Sequence, residues 1–412
     1  MITRSVTRPV TRPLARAITD PLGAGLTFSA LTAALFRNGE AGVAYDTNDL
    51  STLFQDSAGT TPVTAAGQPV GLQLDKSRGL VLGAELAANG TFNDNVSGWV
   101  NNGGGSFVWV AGKGRFTRSA STDSASQGIP TTAGKWYEIK STASVVSGAT
   151  GRIAAGPVNS ITSGSNVMIP SAVGSVTLRF LASAATSYIL LGASADGSVV
   201  DYDNVSVREL PGNHRFQTAA ASRPTLRQNA TTGAYYLEYD GVDDFLVTNA
   251  IDFTATDKVS VFVGVRKLSD ASAVFVELSI DSASTNRTFS LLAPSLSGAN
   301  SYRFTSRGTS PSYAGTGNFA PAPNSSVVSA FGNIAADIAE LRINGLTVEV
   351  QGLDQGTGNY SLNPLYFGRR AGTSLPFNGH EYSTIIVGRL TNPTETRSVK
   401  RLLAKRVGVQ LA

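Results

Sequence analysis

Hydrophobic and polar residues alternate with a period of two along much of the chain, which is typical of half-buried β-strands. The pattern appears in the middle of the chain at residues 136–140 and 175–180. After residue 212 it predicts seven further strands, at residues 235–239, 259–266, 273–280, 288–292, 326–331, 339–343 and 383–387. Strands at this spacing, separated by turn residues, predict an all-β fold built from antiparallel sandwiches.

Two segments carry apolar residues at helical spacing instead. Residues 26–38 place Leu31 and Leu35 on one face. Residues 394–407 form the second segment, and Gly408 ends it. We expect the second helix to pack on the sandwich with its basic face in solvent. The alternative is that this face contacts an acidic partner protein.

The composition excludes several kinds of site. The 412 residues include no cysteine, so disulfides, thiolate metal sites and cysteine nucleophiles are ruled out. The two histidines, His214 and His380, are too few for a histidine-rich zinc centre. Charged residues are only 15% and glycines number 43, which fits short strands joined by turns in two or three domains.

The net charge of +4 is concentrated at the two ends of the sequence. Residues 1–19 carry four arginines and no acid, and residues 389–412 have a net charge of +5, which leaves −5 for the residues between them. This distribution argues against a nucleic-acid-binding face spread over the fold. We also expect no membrane span, because no apolar run reaches about 18 residues.

Arginine recurs every four residues at the start of the sequence, at Arg4, Arg8, Arg12 and Arg16. Pro9 and Pro13 oppose a regular helix there, so an extended arm is expected. The same prolines interrupt what would be the basic part of a signal peptide, and we expect no cleavage. The arm is either a flexible tail or an anchor that orders on docking into a larger assembly.

Residues 45–77 end in the motif D-K-S and look like a module of tailed-bacteriophage structural proteins. In that module a G-N-H step, an R-P-T segment and a D-G-V-D-D turn follow the D-K-S motif directly. Here they appear only at residues 212–214, 223–225 and 240–244. The sequence therefore predicts that the block at residues 80–211 is inserted into a host domain.

The host domain, residues 41–79 plus 212–412, resembles a concanavalin A-like lectin of the laminin-G type, a jelly roll. The block at residues 80–211 resembles a CenC-type carbohydrate-binding module, a galactose-binding-like jelly roll. That resemblance rests on N-G-T-F at residues 89–92, G-K-W-Y at 134–137 and D-N-V-S-V at 203–207. The predicted architecture is thus two antiparallel sandwiches, one inserted in the other, after an anchor arm and helix at residues 1–40.

The resemblance implies sugar binding by the inserted module. Aromatic faces stack on sugar C–H groups, and amides supply hydrogen bonds. The candidate residues are Trp99, Asn101, Trp109, Gln127, Trp136 and Tyr137. The alternative for each tryptophan is a place in the sandwich core. Trp136 and Tyr137 are adjacent, so on a strand they face opposite sides.

The same resemblance implies a structural calcium ion, although the expected function requires no cofactor. Asp203 and backbone carbonyls near Asn89 and Thr91 are the candidate ligands. The alternative is that these groups stabilise turns.

Residues 238–243 spell E-x-D-x-x-D, close to the E-x-D-x-x-E motif of concanavalin A-like glucanases. The third acid is the shorter Asp243, and Asp240-Gly241 is a turn signal. We therefore expect a strand that ends in a tight turn, and a protein that is not an enzyme.

Together these features predict a virion structural protein of a tailed bacteriophage, such as a fibre, spike or other surface appendage. Its sandwiches would bind host-surface polysaccharide, and the arm would contact other virion proteins. Such appendages are usually homotrimers. The alternatives are a purely structural head-decoration or collar protein and, less favoured, a polysaccharide depolymerase.

Overall fold

The computed structural model describes residues 27–293, 301–315 and 321–412. Within these ranges the protein is all-β, with antiparallel sheets that form sandwiches and two α-helices, which confirms the predicted fold class. None of the helices described is long and apolar enough to cross a membrane. The predicted anchoring residues lie outside the described ranges: Arg4, Arg8, Arg12 and Arg16.

The elements fall into three consecutive groups. The first group is α1 (Phe28–Leu35), β1 (Gly42–Asp46), a 3-10 turn (Leu50–Thr52), β2 (Leu53–Phe54) and β3 (Leu72–Gln73). The second is β4 (Val100–Asn102), β5 (Ser106–Val110), β6 (Lys113–Thr117), β7 (Ser124–Pro130), β8 (Trp136–Ser147), β9 (Gly151–Gly156), β10 (Val167–Ala172), β11 (Gly174–Leu181), β12 (Thr186–Ala193) and β13 (Val199–Leu210). The third is β14 (Arg215–Phe216), a 3-10 turn (Ala220–Ser222), β15 (Thr225–Gln228), β16 (Tyr235–Asp240), β17 (Leu246–Thr248), β18 (Ile251–Asp252), β19 (Lys258–Lys267), β20 (Val274–Leu278), β21 (Thr288–Leu292), β22 (Arg303–Arg307), β23 (Pro311–Gly315), β24 (Asn324–Asn333), a 3-10 turn (Ile334–Ala336), β25 (Ile338–Ile343), β26 (Leu346–Gln351), β27 (Leu362–Asn363), β28 (Leu365–Phe367), β29 (Asn378–Val387) and α2 (Pro393–Val407).

The second group forms a sandwich of its own, which we call the inserted sandwich. Its two five-stranded sheets have the orders β10-β9-β12-β7-β4 and β11-β8-β13-β6-β5. One core joins them: Ile153 and Ile189 from the first sheet belong to the same buried cluster as Phe116 and Ile139 from the second. Burial of the two apolar faces against each other stabilises this pair of sheets.

The first and third groups together form the host sandwich. Its eight-stranded sheet has the order β15-β16-β29-β19-β24-β25-β26, with β1 also paired to β29, and its nine-stranded sheet runs β2-β3-β14-β17-β28-β20-β21-β22-β23. Strand β3 pairs with β14, so that Gln73 lies opposite Arg215. The chain thus leaves and re-enters one sheet on neighbouring strands. Ends so close together allow an insertion without distortion of the host.

A buried carboxylate joins the two sides of this junction. Asp75 Oδ1 accepts hydrogen bonds from the backbone N of Ala44 at 2.7 Å and of Ser77 at 2.9 Å. The Oδ2 atom of Asp75 accepts a hydrogen bond from the backbone N of Asn213 at 2.8 Å. The backbone N of Asp75 donates to His214 Nδ1 at 2.9 Å. The D-K-S and G-N-H motifs therefore form one hydrogen-bonded seam at the point where the inserted sandwich begins and ends.

A second buried polar group connects the two host sheets. Arg215 on β14 and Glu381 on β29 form an ion pair at 2.9 Å, and both side chains have 0% exposure. The guanidinium carbon lies 4.3 Å from the centre of the Tyr45 ring and 4.7 Å from that of Phe367. Removal of either charge would leave the other buried and unpaired, which is strongly destabilising.

Both helices pack on the outer face of the eight-stranded sheet, in one buried cluster. Helix α2 begins with a capping box between Asn392 and Glu395 and ends at Gly408, as predicted. Helix α1 is shorter than predicted, because the Thr27 side chain caps its start and the helical hydrogen bonds end at Phe36. The predicted anchor helix is thus part of the host layer. Each of the seven predicted host strands is present, with differences at the ends.

Candidate carbohydrate-binding site

The inserted sandwich has one edge at which apolar side chains reach solvent. Strands β4 and β5 are the edge strands of its two sheets, and a short loop connects them. Val100 on β4 is 59% exposed, and on β5 Val108 is 47% and Trp109 44% exposed. We call this region the open edge. Val108 and Trp109 are adjacent on β5 and face opposite sides, so Trp109 is the exposed side chain that we consider for binding.

Trp109 is the one predicted tryptophan that presents its ring at the surface. It lies opposite Gly114, on the same side of β5 as Phe107 of the core. Its Nε1 donates a 2.7 Å hydrogen bond to the carbonyl oxygen of Phe92. The indole is therefore held in one orientation while almost half of it contacts solvent, as stacking on a sugar requires.

Asn101 reaches the same edge from the other sheet. It pairs with Ala125, a core residue of β7, so it also lies on the inner side of the sandwich, although its side chain is exposed. Its Nδ2 donates to the carbonyl oxygen of Gly105 at 2.8 Å, which leaves Oδ1 to accept a hydroxyl proton. The structure thus places Asn101 and Trp109 on neighbouring edge strands.

The loop between β4 and β5 is held in place by Asp123. Its Oδ1 accepts from the backbone N of Gly104 at 3.1 Å, and its Oδ2 accepts from Ser119 N and Oγ at 2.9 and 2.7 Å. Burial opposes the charged form, but these hydrogen bonds outweigh it and lower the pKa of Asp123. Gly103 has φ +95°, and a Cβ there would lie 2.0 Å from Asp123 Oδ1, so only glycine fits.

Trp99 and Gln127 are placed in the interior. Trp99 is 8% exposed, and its Nε1 donates to the carbonyl oxygen of Ala88 at 3.2 Å. Gln127 is 7% exposed. Its side-chain oxygen accepts a hydrogen bond from Ala88 N at 2.8 Å, and its Nε2 donates to Ala88 O at 2.9 Å. Neither side chain presents a free face or amide to a ligand, and both serve to hold the segment around Ala88.

Trp136 and Tyr137 face opposite sides of β8, as predicted, and both are 3% exposed. Trp136 packs against the host, with its ring centre 5.6 Å from that of His214 and 5.5 Å from that of Phe216. Tyr137 stacks on Phe180 in the inserted core. Neither ring is open to a sugar. Apolar residues of the host sandwich cover Trp136. Without the host, this ring of the inserted sandwich would be exposed.

Sequence reasoning missed Arg179, which contributes to this contact between the sandwiches. Its Nη1 donates to the carbonyl oxygen of Gly59 in the host at 2.6 Å, and its Nη2 pairs with Glu138 at 2.7 Å. Its guanidinium carbon lies 4.2 Å from the centre of the Phe54 ring. An arginine on an alternating strand resembles any solvated charge, so the sequence contains no signal for this role.

Two of the residues predicted to bind calcium, Asn89 and Asp203, make side-chain hydrogen bonds to groups close by in the sequence. A backbone hydrogen bond brings the motifs at residues 89–92 and 203–207 together, because Val205 N donates to Gly90 O at 2.8 Å. However, Asn89 Nδ2 donates to oxygens of Asn95 and Ser97, and Asp203 Oδ1 accepts from the next residue's N. Thr91 is exposed. Calcium requires several oxygens directed at one point, and the expected set also includes backbone carbonyls near Asn89 and Thr91, so the calcium ion stays a prediction.

The E-x-D-x-x-D segment forms the predicted turn after β16. Asp240 Oδ1 accepts from the backbone N of Val242 at 2.7 Å and of Asp243 at 3.2 Å. Burial and the charge of Asp240 raise the pKa of Asp244 to about 7. Asp240, Asp243 and Asp244 place ligand atoms within 4.8 Å of one another. Their hydrogen bonds within the turn account for this proximity.

Comparison with known proteins gives similarity at the level of the fold. No protein-family model and no curated protein sequence matches the chain. Similar solved structures include the Ruminococcus gnavus IT-sialidase CBM40 bound to α2,3-sialyllactose, at 14% identity and TM-score 0.29, over 35% of this chain and 83% of that one.

Two other similar structures have different origins. One is botulinum neurotoxin type C, whose cell entry depends on two ganglioside molecules, at 13% identity and TM-score 0.33, over 46% of this chain and 48% of that one. The other is a pentraxin from Limulus polyphemus, at 8% identity and TM-score 0.32, over 41% of this chain and 82% of that one. These neighbours are carbohydrate-binding or lectin-like β-sandwich proteins. Scores this low assign no ligand to the present chain.

Proposed function

We propose that this protein binds glycans without cleaving them, through the open edge of its inserted sandwich. The observation that carries the proposal is Trp109, whose indole is fixed by a hydrogen bond and is 44% exposed. Asn101 supplies a free amide oxygen on the neighbouring strand. Sugar recognition generally combines an aromatic face with hydrogen-bonding groups.

We further propose that the protein is a surface appendage of a tailed-phage virion, with several copies on one particle. A single shallow edge gives weak binding, and repeated copies convert weak contacts into stable attachment. This part rests on the sequence resemblance and on the basic arm, which would contact other virion proteins. The homotrimer and the virion location belong to the same proposal.

The test is a glycan array probed with the full chain, followed by titration of any bound sugar. Trp109→Ala is the test variant, and Tyr313→Ala is the matched control, because Tyr313 is a 37% exposed aromatic residue of the host sandwich. We expect Trp109→Ala to weaken binding at least about 10-fold, equal to about 1.4 kcal/mol. Tyr313→Ala should bind as the parent protein does.

Three outcomes would contradict the proposal. If no glycan binds, the purely structural role in a head or collar is favoured. If both variants lose affinity equally, the open edge is not the site. If reducing ends accumulate when polysaccharide is incubated with the protein, the depolymerase alternative holds, and the acidic turn after β16 becomes the first place to mutate.

A further inference from the structure

A groove of about 750 Å³ lies between helix α2 and the outer face of the eight-stranded sheet. Arg397 and Lys400 line it from the helix, and Arg342 lines it from β25. Ile338 and Leu390 add apolar surface and are 37% and 38% exposed. The groove belongs to the host sandwich and uses no residue of the open edge.

The groove has more positive than negative charge. Glu340 is the acidic side chain among its described lining residues, and Arg342 already pairs with it at 2.5 Å. Within the described part of the chain neither Arg397 nor Lys400 forms an ion pair. Burial, together with the charges of Arg342 and Arg397, lowers the pKa of Lys400. Like charges are thus held together, and Glu340, which already pairs with Arg342, compensates them only in part.

The lining favours a peptide over a sugar. Phe331 is the one aromatic residue of the described lining, it is only 7% exposed, and the guanidinium carbon of Arg342 lies 4.8 Å from its ring centre. No open aromatic face is therefore offered to a sugar ring by this lining. Exposed aliphatic side chains such as Ile338 and Leu390 instead suit the apolar side chains of a peptide, while the cations suit its carboxylates.

We propose that this groove is a docking site for an acidic, amphipathic peptide segment of another protein. The charge complementarity and the aliphatic walls together specify the partner's chemistry: carboxylates alternating with apolar side chains. The proposal is independent of glycan binding, because the open edge lies on the other sandwich.

The test is fluorescence polarisation with a labelled peptide of about 10 residues in which Glu and Leu alternate. A second peptide carries Gln in place of Glu. The protein variants are Lys400→Glu and, as the matched control, Lys405→Glu, which reverses one lysine on the same helix outside the groove lining. Arg397→Glu replaces Lys400→Glu if the latter fails to fold, as judged by circular dichroism.

We expect the Glu peptide to bind more tightly than the Gln peptide, and more weakly as salt increases. Lys400→Glu should raise its Kd at least about 10-fold, and Lys405→Glu less than about twofold. Equal binding of the two peptides, or an equal loss in both variants, would overturn the proposal. Binding of an acidic polysaccharide such as hyaluronan in place of the peptide would overturn it too, since the groove would then take a glycan.

Discussion

The two ends of the inserted sandwich differ although they belong to one fold. At the open edge, Trp109 is 44% exposed, and its neighbours Val100 and Val108 are also in solvent. At the end that meets the host, Trp136 is 3% exposed and packs between His214 and Phe216. The same residue type is therefore open to solvent at one end and serves domain packing at the other.

The difference shows that the host decides which end of the inserted sandwich remains free. Trp136 belongs to a buried cluster with Leu210 of its own module and with Phe54, Leu72 and Leu74 of the host. Such a large shared apolar contact fixes one module on the other. The open edge is consequently held in one direction relative to the host sandwich.

The largest expected effect is at the contact with the host. Trp136→Ala should lower the free energy of unfolding by about 3–5 kcal/mol, because a buried ring is lost and a cavity is left. Urea unfolding followed by circular dichroism measures it. Trp109→Ala is the control and should cost less, about 1–2 kcal/mol, since its ring is almost half exposed and donates one hydrogen bond. Equal losses would mean that the two ends do not differ as the structure indicates.

Acid should destabilise the same contact. Burial and the charge of Arg179 lower the pKa of His214 to about 3. Between pH 7 and pH 4 the unfolded chain takes up a proton that the folded protein does not, so the folded state should lose about 3 kcal/mol. Urea unfolding at both pH values measures the loss. His214→Gln should reduce the pH dependence by that amount, and an unchanged dependence would contradict the burial of this ring.

At the open edge the expected change is in affinity. Asn101→Ala should weaken the binding of an identified glycan by about 3-fold, less than Trp109→Ala, because one hydrogen bond to a sugar contributes about 1 kcal/mol or less. Isothermal titration calorimetry measures the difference. Asn102→Ala is the control, since Asn102 donates to Ser126 Oγ at 2.8 Å on the other side of the same strand. If Asn102→Ala lost more glycan affinity than Asn101→Ala, the binding site would lie on the face of the strand that carries Asn102.

The smallest expected effect concerns calcium. Because Asn89 and Asp203 are satisfied by protein groups, the melting temperature in EDTA should lie within about 1 °C of that in excess calcium chloride. Differential scanning fluorimetry measures both. A rise of several degrees with calcium, abolished by Asp203→Asn, would contradict this expectation and support the predicted structural ion.

Much of the fold was predictable from local patterns. Alternation gave the host strands because each strand has one face in a core, and Pro393 and Gly408 bounded α2 because they start and stop helices regardless of context. The strands that were not predicted include β22 and β23, whose sequences R-F-T-S-R and P-S-Y-A-G contain few apolar residues. Pairing with neighbouring strands, which is non-local, places them in the sheet.

The candidate site was predictable only in part. The sequence identified three tryptophans as candidates but could not rank them, since burial depends on what packs against each ring. One local signal existed in the sequence of β5, S-F-V-W-V. It lacks the alternation of apolar and polar residues that is typical of a strand with one buried and one solvent-exposed face. A run of this kind on an edge strand exposes apolar residues, and that exposure distinguishes Trp109.

By itself, the sequence determined the all-β class, the positions of most host strands and the terminal helix, because these follow from periodicity and capping over a few residues. It also indicated the junction motifs at residues 75–77 and 212–214. The tertiary structure alone decided that Asp75 joins these motifs, that Trp136 is covered and that Trp109 is not. Each of those outcomes depends on contacts between residues far apart in the chain, which no local pattern encodes.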